Sequence, residues 1–351
     1  MLTKKQNLLE TIRGGKPDRF VNQYEYIAQV FDPVILNALG NCPKGGSCIN
    51  GWGVTIQYPD YVPGPFPDTS PDKVVVKDVE NWRDYVKAPE TVFPDEAWAP
   101  FVAQAQAVDR NEMFLAPFVA PGIFEKLHYL IGMEECMMAF YEEPDAMKEL
   151  IDFLADWEIA HAKEYIRHIH PDALFHHDDW GSQKSTFLSP AMFEEFILPA
   201  YKKIYGFWKD NGVELIVHHS DSYAATLVPY MIEMGIDIWQ GVMSTNDVPA
   251  LVKQYGGKIS FHGGIDNGKV DRVDWTEEKI MKEVREVCEA CGNLYFIPGT
   301  TMGGPESTYL NVYETTSACI DLMSKEKFGY EGSSGNVSNP LFARIDRESA
   351  K

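Results

Sequence analysis

Leu174-Phe175-His176-His177-Asp178-Asp179, Leu215-Ile216-Val217-His218-His219-Ser220-Asp221 and Ile259-Ser260-Phe261-His262-Gly263-Gly264 share one pattern: a short apolar run that ends in polar chemistry. Tyr295-Phe296-Ile297-Pro298-Gly299-Thr300 follows the same plan with a milder ending. Runs this short, rich in β-branched and aromatic residues, read as buried strands. Further strand-like runs occupy residues 20–26, 113–119 and 237–242, and helical patterns separate most of the runs. One helix opens at Ser189-Pro190, with proline at its first position, and extends to Asn211-Gly212. Another begins near Thr276-Glu277-Glu278 and stops at Gly292. Such alternation implies a parallel sheet, either closed or doubly wound. Polar residues gathered at strand C-termini favour closure, because a barrel builds its site there. A doubly wound sheet usually carries a Gly-rich phosphate turn after its first strand, and none is present. The expected fold is therefore α/β: a (β/α)8 TIM barrel in one domain over residues 1–351.

Two stretches break the rhythm. Residues 41–100 are rich in Gly, Pro and aromatics (Trp52, Tyr58, Tyr61, Phe66, Trp82, Trp98), and read as a long insertion after the first strand, lying over the barrel mouth as a lid. Residues from about 325 to 351 read as an irregular tail. Ahead of the first strand, residues 3–13 form an amphipathic helix pattern with Thr3 as N-cap and Gly14-Gly15 as the stop.

Composition narrows the class. A hydrophobic content of 45% fills a globular core, and no apolar run approaches the length of a membrane span. The N-terminal residues show no secretory pattern. The six cysteines are scattered and read as reduced thiols, which points to the cytoplasm. A net charge of −21 argues against nucleic acid or an anionic membrane as partner. Cys288-Glu289-Ala290-Cys291 is a lone CxxC at a helix end, better explained by packing than by zinc or redox work.

Five of the nine histidines stand at strand ends: His176, His177, His218, His219 and His262. Residues two apart on a strand share a face, so His177 pairs with Asp179 and His219 with Asp221. If both pairs face the barrel axis, they form an N/O cluster with His262 that either binds a divalent metal or works as an acid–base set. Alternatively the histidines donate to nearby carboxylates and knit the strand ends together. A metal would fall to His219 and Asp221, with Zn2+ as the candidate ion. Trp52, Trp180 and Gln240 stand as candidate substrate-binding residues.

Several blocks resemble the uroporphyrinogen decarboxylase superfamily, in order and over most of the chain, from the first helix to about Ser324. They are Gly15-Lys16-Pro17-Asp18-Arg19, Trp52-Gly53-Val54, Pro121-Gly122-Ile123-Phe124-Glu125-Lys126-Leu127, Leu188-Ser189-Pro190-Ala191-Met192-Phe193-Glu194-Glu195-Phe196-Ile197-Leu198-Pro199, and Gly263-Gly264-Ile265-Asp266. The resemblance implies a (β/α)8 barrel and divides by chemistry. The decarboxylase branch grips its substrate's carboxylates with an Arg-rich segment after the first strand. Residues 20–39 here contain no Arg or Lys. The branch that moves methyl groups from a methyl-corrinoid to a thiol holds zinc with His-x-Cys and a later Cys. This chain has His219-Ser220-Asp221, with Thr300 near the later position, so both thiolates are missing.

The third branch, the substrate:corrinoid methyltransferases of O-demethylase systems, is the one that Trp52-Gly53-Val54, Asn81-Trp82-Arg83-Asp84-Tyr85-Val86-Lys87 and the His-Ser-Asp variant resemble most. It implies methyl transfer from a small methoxylated substrate, such as an aryl methyl ether, to a Co(I) corrinoid. That corrinoid would be carried by a separate corrinoid-binding protein, since the chain has no Asp-x-His-x-x-Gly corrinoid-ligand motif. His177, Asp179, His219, Asp221 and His262 would stabilise charge on the leaving oxygen, through a metal or a proton. Decarboxylation of another small acid, with Lys184 as its cationic grip, and non-catalytic binding are the competing readings.

Overall fold

A computed structural model of the chain describes residues 1–62, 64–301 and 308–333. Seven strands among them form one parallel sheet. They are β1 (Ile27–Val30), β5 (Phe114–Val119), β6 (Ala173–His177), β7 (Leu215–His219), β8 (Ile238–Val242), β9 (Ser260–Ile265) and β10 (Phe296–Thr300), hydrogen-bonded in that order. Between β1 and β5 in the chain, β2 (Gly46–Ile49), β3 (Thr55–Tyr58) and β4 (Phe66–Pro67) make a separate antiparallel sheet. The parallel sheet curls until its ends meet: the Gln23 amide, just before β1, donates to the Pro298 carbonyl of β10 at 3.3 Å.

Strand alternation sorts the side chains into an inner and an outer set. Ile27, Phe114, Ala116, Ala173, Phe175, Leu215, Val217, Ile238 and Ile297 pack together inside the barrel. Leu115, Val119, Leu174, Ile216 and Trp239 face outward and join the larger cluster under the helices. Helix α1 (Lys4–Ile12) closes the bottom, placing Leu8 with Leu9 and Ile12 against the inner set. Its N-cap is Thr3, whose side chain accepts from the Gln6 amide in a full capping box, and the helix ends before Gly14. Burying Leu8 fully is worth roughly 2 kcal/mol, so the plug also stabilises the barrel. No helix among the described residues is long and apolar enough to cross a membrane.

The first strand lies later than the apolar pattern suggests. Residues 20–22 are irregular and 23–26 form a turn, with the Glu25 amide donating to the Asn22 carbonyl and the Ile27 amide to the Tyr24 carbonyl, and Gln23 takes a positive φ of 50°. Asn22, Gln23 and Glu25 are buried, and Asn22 and Gln23 donate to Ser317 and Tyr313 of the last helix, Val312–Phe328. Burial between barrel and helix, rather than a ladder, gives this stretch its mixed pattern. That last helix also runs through residues 325–328, where an irregular tail was expected, and residues 334–351 lie outside the described residues.

The insertion follows β1 and α2 (Pro33–Leu39), and leads into α3 (Asp95–Gln106). Its tryptophans do not line the barrel mouth. They pack sideways on the helical layer of α4 (Ile123–Ile131), α5 (Met133–Glu142) and α6 (Pro144–Ile169). Trp52 meets Trp157 at 5.0 Å and Trp82 meets Phe153 at 5.1 Å, edge-on or tilted. Trp98, in α3, stacks on His168 at 4.3 Å. Aromatic density in a Pro-rich loop thus reflects a second packing interface on α6.

Candidate active site

Adjacent strands β6, β7 and β8 are in register, with His177 opposite His219 and His219 opposite Gln240. Gln240 in turn faces His262 on β9. These four side chains form the layer directly above Phe175, Val217 and Ile238 on the inner face, at the C-terminal end of the barrel. His177 and His219 stack at 4.4 Å with planes 15° apart. Beyond the strand ends, Asp179 accepts from the Asp221 amide at 2.9 Å, and its carboxylate lies 4.0 Å from His177 Nε2. The five residues expected to share one cavity therefore come together.

Each imidazole is oriented by a partner. His177 Nδ1 lies 2.8 Å from Glu125 Oε2. Gln240 Nε2 donates to the Thr301 carbonyl at 3.3 Å, which turns its Oε1 toward His219 Nδ1. An amide oxygen only accepts, so His219 Nδ1 carries the proton and its Nε2 presents a lone pair. One ring nitrogen each of His177 and His219 and an Asp179 oxygen lie within 4.8 Å of one another. Imidazoles that give one N–H to a carboxylate or carbonyl and keep the other nitrogen free are the usual metal-ligating arrangement. The donor set fits a divalent ion with hard N/O ligands. It differs from the sequence expectation: His219 is in it, His177 and Asp179 complete it, and Asp221 stands beside it.

Glu125 carried no sequence signal of its own beyond its family block. It sits in the first turn of α4, and Asp178 puts it there. The buried Asp178 carboxylate accepts from the Phe124 and Glu125 amides at 2.9 and 2.8 Å, capping the helix from outside, and from Tyr201 Oη at 2.5 Å and Trp180 Nε1 at 2.9 Å. Gly122 is required there, since a Cβ would sit 2.3 Å from Asp178 Cβ. The outward residues of the same strand ends thus build the scaffold. Trp180 belongs to it: it stacks on His218 at 3.9 Å and is 2% exposed, away from the cavity. Trp52, against Trp157, also lies away from the cluster. Of the three candidate substrate-binding residues, only Gln240 is in the site.

The electrostatics separate the roles. Burial would lower the pKa of His177, but the Glu125 carboxylate outweighs it and lifts the imidazole to about 10. Glu125 falls below its ordinary value, because the His177 cation overcomes burial. Burial, helped by the His177 charge, drives His219 down to about 3, and burial does the same to His262. Both are neutral at physiological pH. Burial and the Asp179 charge raise Asp221 to about 8, so this acid pair retains a proton. Among the described residues, the ion pairs of Glu125, His177 and Asp179 are to one another, with no lysine or arginine. Lys184 is exposed in the loop after β6. His262 Nδ1 lies 3.2 Å from Tyr26 Oη, while its buried Nε2 has no partner. A separate cavity of about 350 Å3 lies at the other end, between α1 and the strand starts, lined by Arg13, Glu214 and Lys258 among others, and shares none of these groups. All six cysteines are free thiols, and the pair Cys288 and Cys291 is buried at its helix end.

The family of uroporphyrinogen decarboxylase (URO-D) matches residues 53–304. The chain belongs to the uroporphyrinogen decarboxylase family. It is 26% identical over 237 residues to uroporphyrinogen decarboxylase 2, chloroplastic, of Oryza sativa subsp. japonica, covering 63% of this chain and 58% of the relative. It is 27% identical over 198 residues to methylated-thiol–coenzyme M methyltransferase of Methanosarcina mazei, covering 53% of this chain and 48% of the relative. The matches thus span about half the length of these curated relatives. In fold, a solved methyltransferase from Methanosarcina mazei superposes with a TM-score of 0.62 at 15% identity, covering 92% of this chain and 99% of that one. The family assignment and the fold match account for the curled parallel sheet.

Proposed function

We propose that this family member transfers a methyl group from a small methoxylated compound, an aryl methyl ether, to the Co(I) corrinoid of a partner protein. The observation that carries the reading is the convergence of one ring nitrogen each from His177 and His219 with an Asp179 oxygen. A divalent metal on these three ligands, Zn2+ among the candidates, would supply Lewis-acid polarisation of an ether oxygen, and the partner's corrinoid would supply the nucleophile. The chain's own work is to orient and to receive charge. Glu125 and Gln240 fix the two imidazoles. As the methyl carbon–oxygen bond breaks, its electron pair stays on the oxygen, and Asp221, which shares a retained proton with Asp179, would pass that oxygen a proton.

Two alternatives fit the site less well. Decarboxylating a polyacid calls for cations near the carboxylates, and this cluster is lined by acids instead. Activating a thiol favours soft thiolate ligands on zinc, and the donors here are N and O. The deciding experiment pairs metal analysis of the purified protein with a Co(I) methylation assay on a panel of methoxyarenes. Methylation of the corrinoid is expected. Formation of coproporphyrinogen from uroporphyrinogen, with no methyl transfer, would overturn the proposal.

A further inference from the structure

A run of aromatic rings on the inner face leads up to the titratable cluster. Phe118 on β5 and Phe175 on β6 are register partners and stack at 5.9 Å, planes 22° apart. Phe31, just past β1, lies 5.4 Å from Phe118, and Tyr24 lies 6.4 Å from Phe175. Phe175 reaches His219 at 6.2 Å, and His219 stacks on His177. Ring faces therefore continue from Phe31 to the two imidazoles, one layer below them.

Exposure shows where the space is. Phe114, Ala116 and Ala173, deeper in the barrel, are sealed. Phe118 and Tyr24, higher on the same inner surface, are partly exposed. A ring that points into a barrel and still meets solvent borders open volume. Beyond Phe118 the next residue on that side of the chain is Ala120, too small to fill it. Above the rings, the acids Glu125, Asp179 and Asp221 disfavour an anionic substituent.

We infer that Phe118, Phe175 and Tyr24 form the floor of a subsite for a flat, uncharged aromatic ring, held so that an ether oxygen on that ring faces the cluster of His177, His219 and Asp179. This assigns specificity to residues on the strands rather than to the tryptophans of the insertion. It rests on the methyl-transfer reading above for the use of the ether oxygen.

The test is equilibrium binding, by calorimetry and without corrinoid, of methoxybenzene and methoxycyclohexane. The two share the ether oxygen and nearly the same size, and differ in the π face. The wild type should prefer methoxybenzene by roughly three- to tenfold. Phe118→Leu should erase the preference, and Phe118→Trp should keep it, with melting temperatures checking that each variant is folded. Equal binding of both ligands by the wild type overturns the inference even if Phe118→Leu fails to fold, and so does a preference that survives in Phe118→Leu. Ring preference without any Co(I) methylation would overturn the proposed function alone. Methyl transfer from an aliphatic ether, unchanged in Phe118→Leu, would overturn this inference alone.

Discussion

His176 and His218 face the helices, while His177 and His219, each one residue further on, face the barrel axis. The outward pair belongs to the scaffold. His176 Nε2 lies 2.8 Å from the buried Glu158, and His218 has Tyr205 Oη at 2.7 Å on one nitrogen and the Asp178 carbonyl at 3.2 Å on the other. The inward pair spends one nitrogen each on Glu125 and Gln240, and the second nitrogen of His177 lies 4.0 Å from Asp179. The acids divide the same way: Asp178 caps α4, and Asp179 faces His177. A His-His or Asp-Asp doublet at a barrel strand end is thus one structural group and one chemical group, and a shift of one residue would exchange them.

The largest test of that division pairs His219→Ala with His218→Ala. Removing His219 should cost about a hundredfold or more in methyl transfer, the usual effect of losing a group that stabilises transition-state charge, with a small change in melting temperature. Removing His218 leaves Tyr205 Oη and the Asp178 carbonyl without their partner in a buried site, at a cost of roughly 2–4 kcal/mol. The surviving folded protein should turn over near normally. Measuring melting temperature and Co(I) methylation in both variants decides it. Equal losses of activity would erase the distinction between the two faces.

The orienting groups give a smaller effect. Glu125→Gln keeps the shape of the side chain but removes the charge that holds His177 Nδ1. Partners of this kind typically cost ten- to a hundredfold in metal affinity or activity when altered. We expect metal occupancy, read by elemental analysis, to fall in Glu125→Gln while circular dichroism stays unchanged. Full occupancy and full activity would show that Glu125 merely fills space beside α4.

How far the sequence led follows from the same alternation. The strand-end blocks exposed the barrel and the axial residues because period-two spacing and position on a strand are local properties. His177, Asp179, His219, Asp221 and His262 were legible for that reason. Glu125 was not, because its role depends on Asp178 reaching across from another strand to cap α4. Trp52 and Trp180 misled because composition does not tell a tryptophan facing a cavity from one facing a helix. Phe118 and Phe175 were hidden in apolar runs that look identical to core. The first strand was displaced because residues 22–25 are buried polar groups tied to the last helix, a contact spanning most of the chain.

A buried acid below the active site gives a test by pH. Tyr24 and Tyr26 pack with the barrel interior, while Glu25 between them lies 3.9 Å from Arg19 and accepts from the Asn22 amide at 3.1 Å. Lys4 and Asp321 are its other charged neighbours. Burial dominates these and raises the Glu25 carboxyl from 4.5 to about 7. A raised acid favours the folded state while both states are protonated. That advantage is lost as pH climbs from the unfolded value of about 4.5 through the folded value of about 7, and is constant above it. The shift corresponds to on the order of 3 kcal/mol. Glu25→Gln keeps an acceptor for the Asn22 amide and cannot ionise. The stability of the wild type relative to Glu25→Gln should therefore fall between pH 4.5 and 7.5 and level off beyond, as read from denaturant midpoints at each pH. Parallel curves for the two proteins would mean that Arg19 already holds Glu25 ionised, and that this position carries an ordinary ion pair.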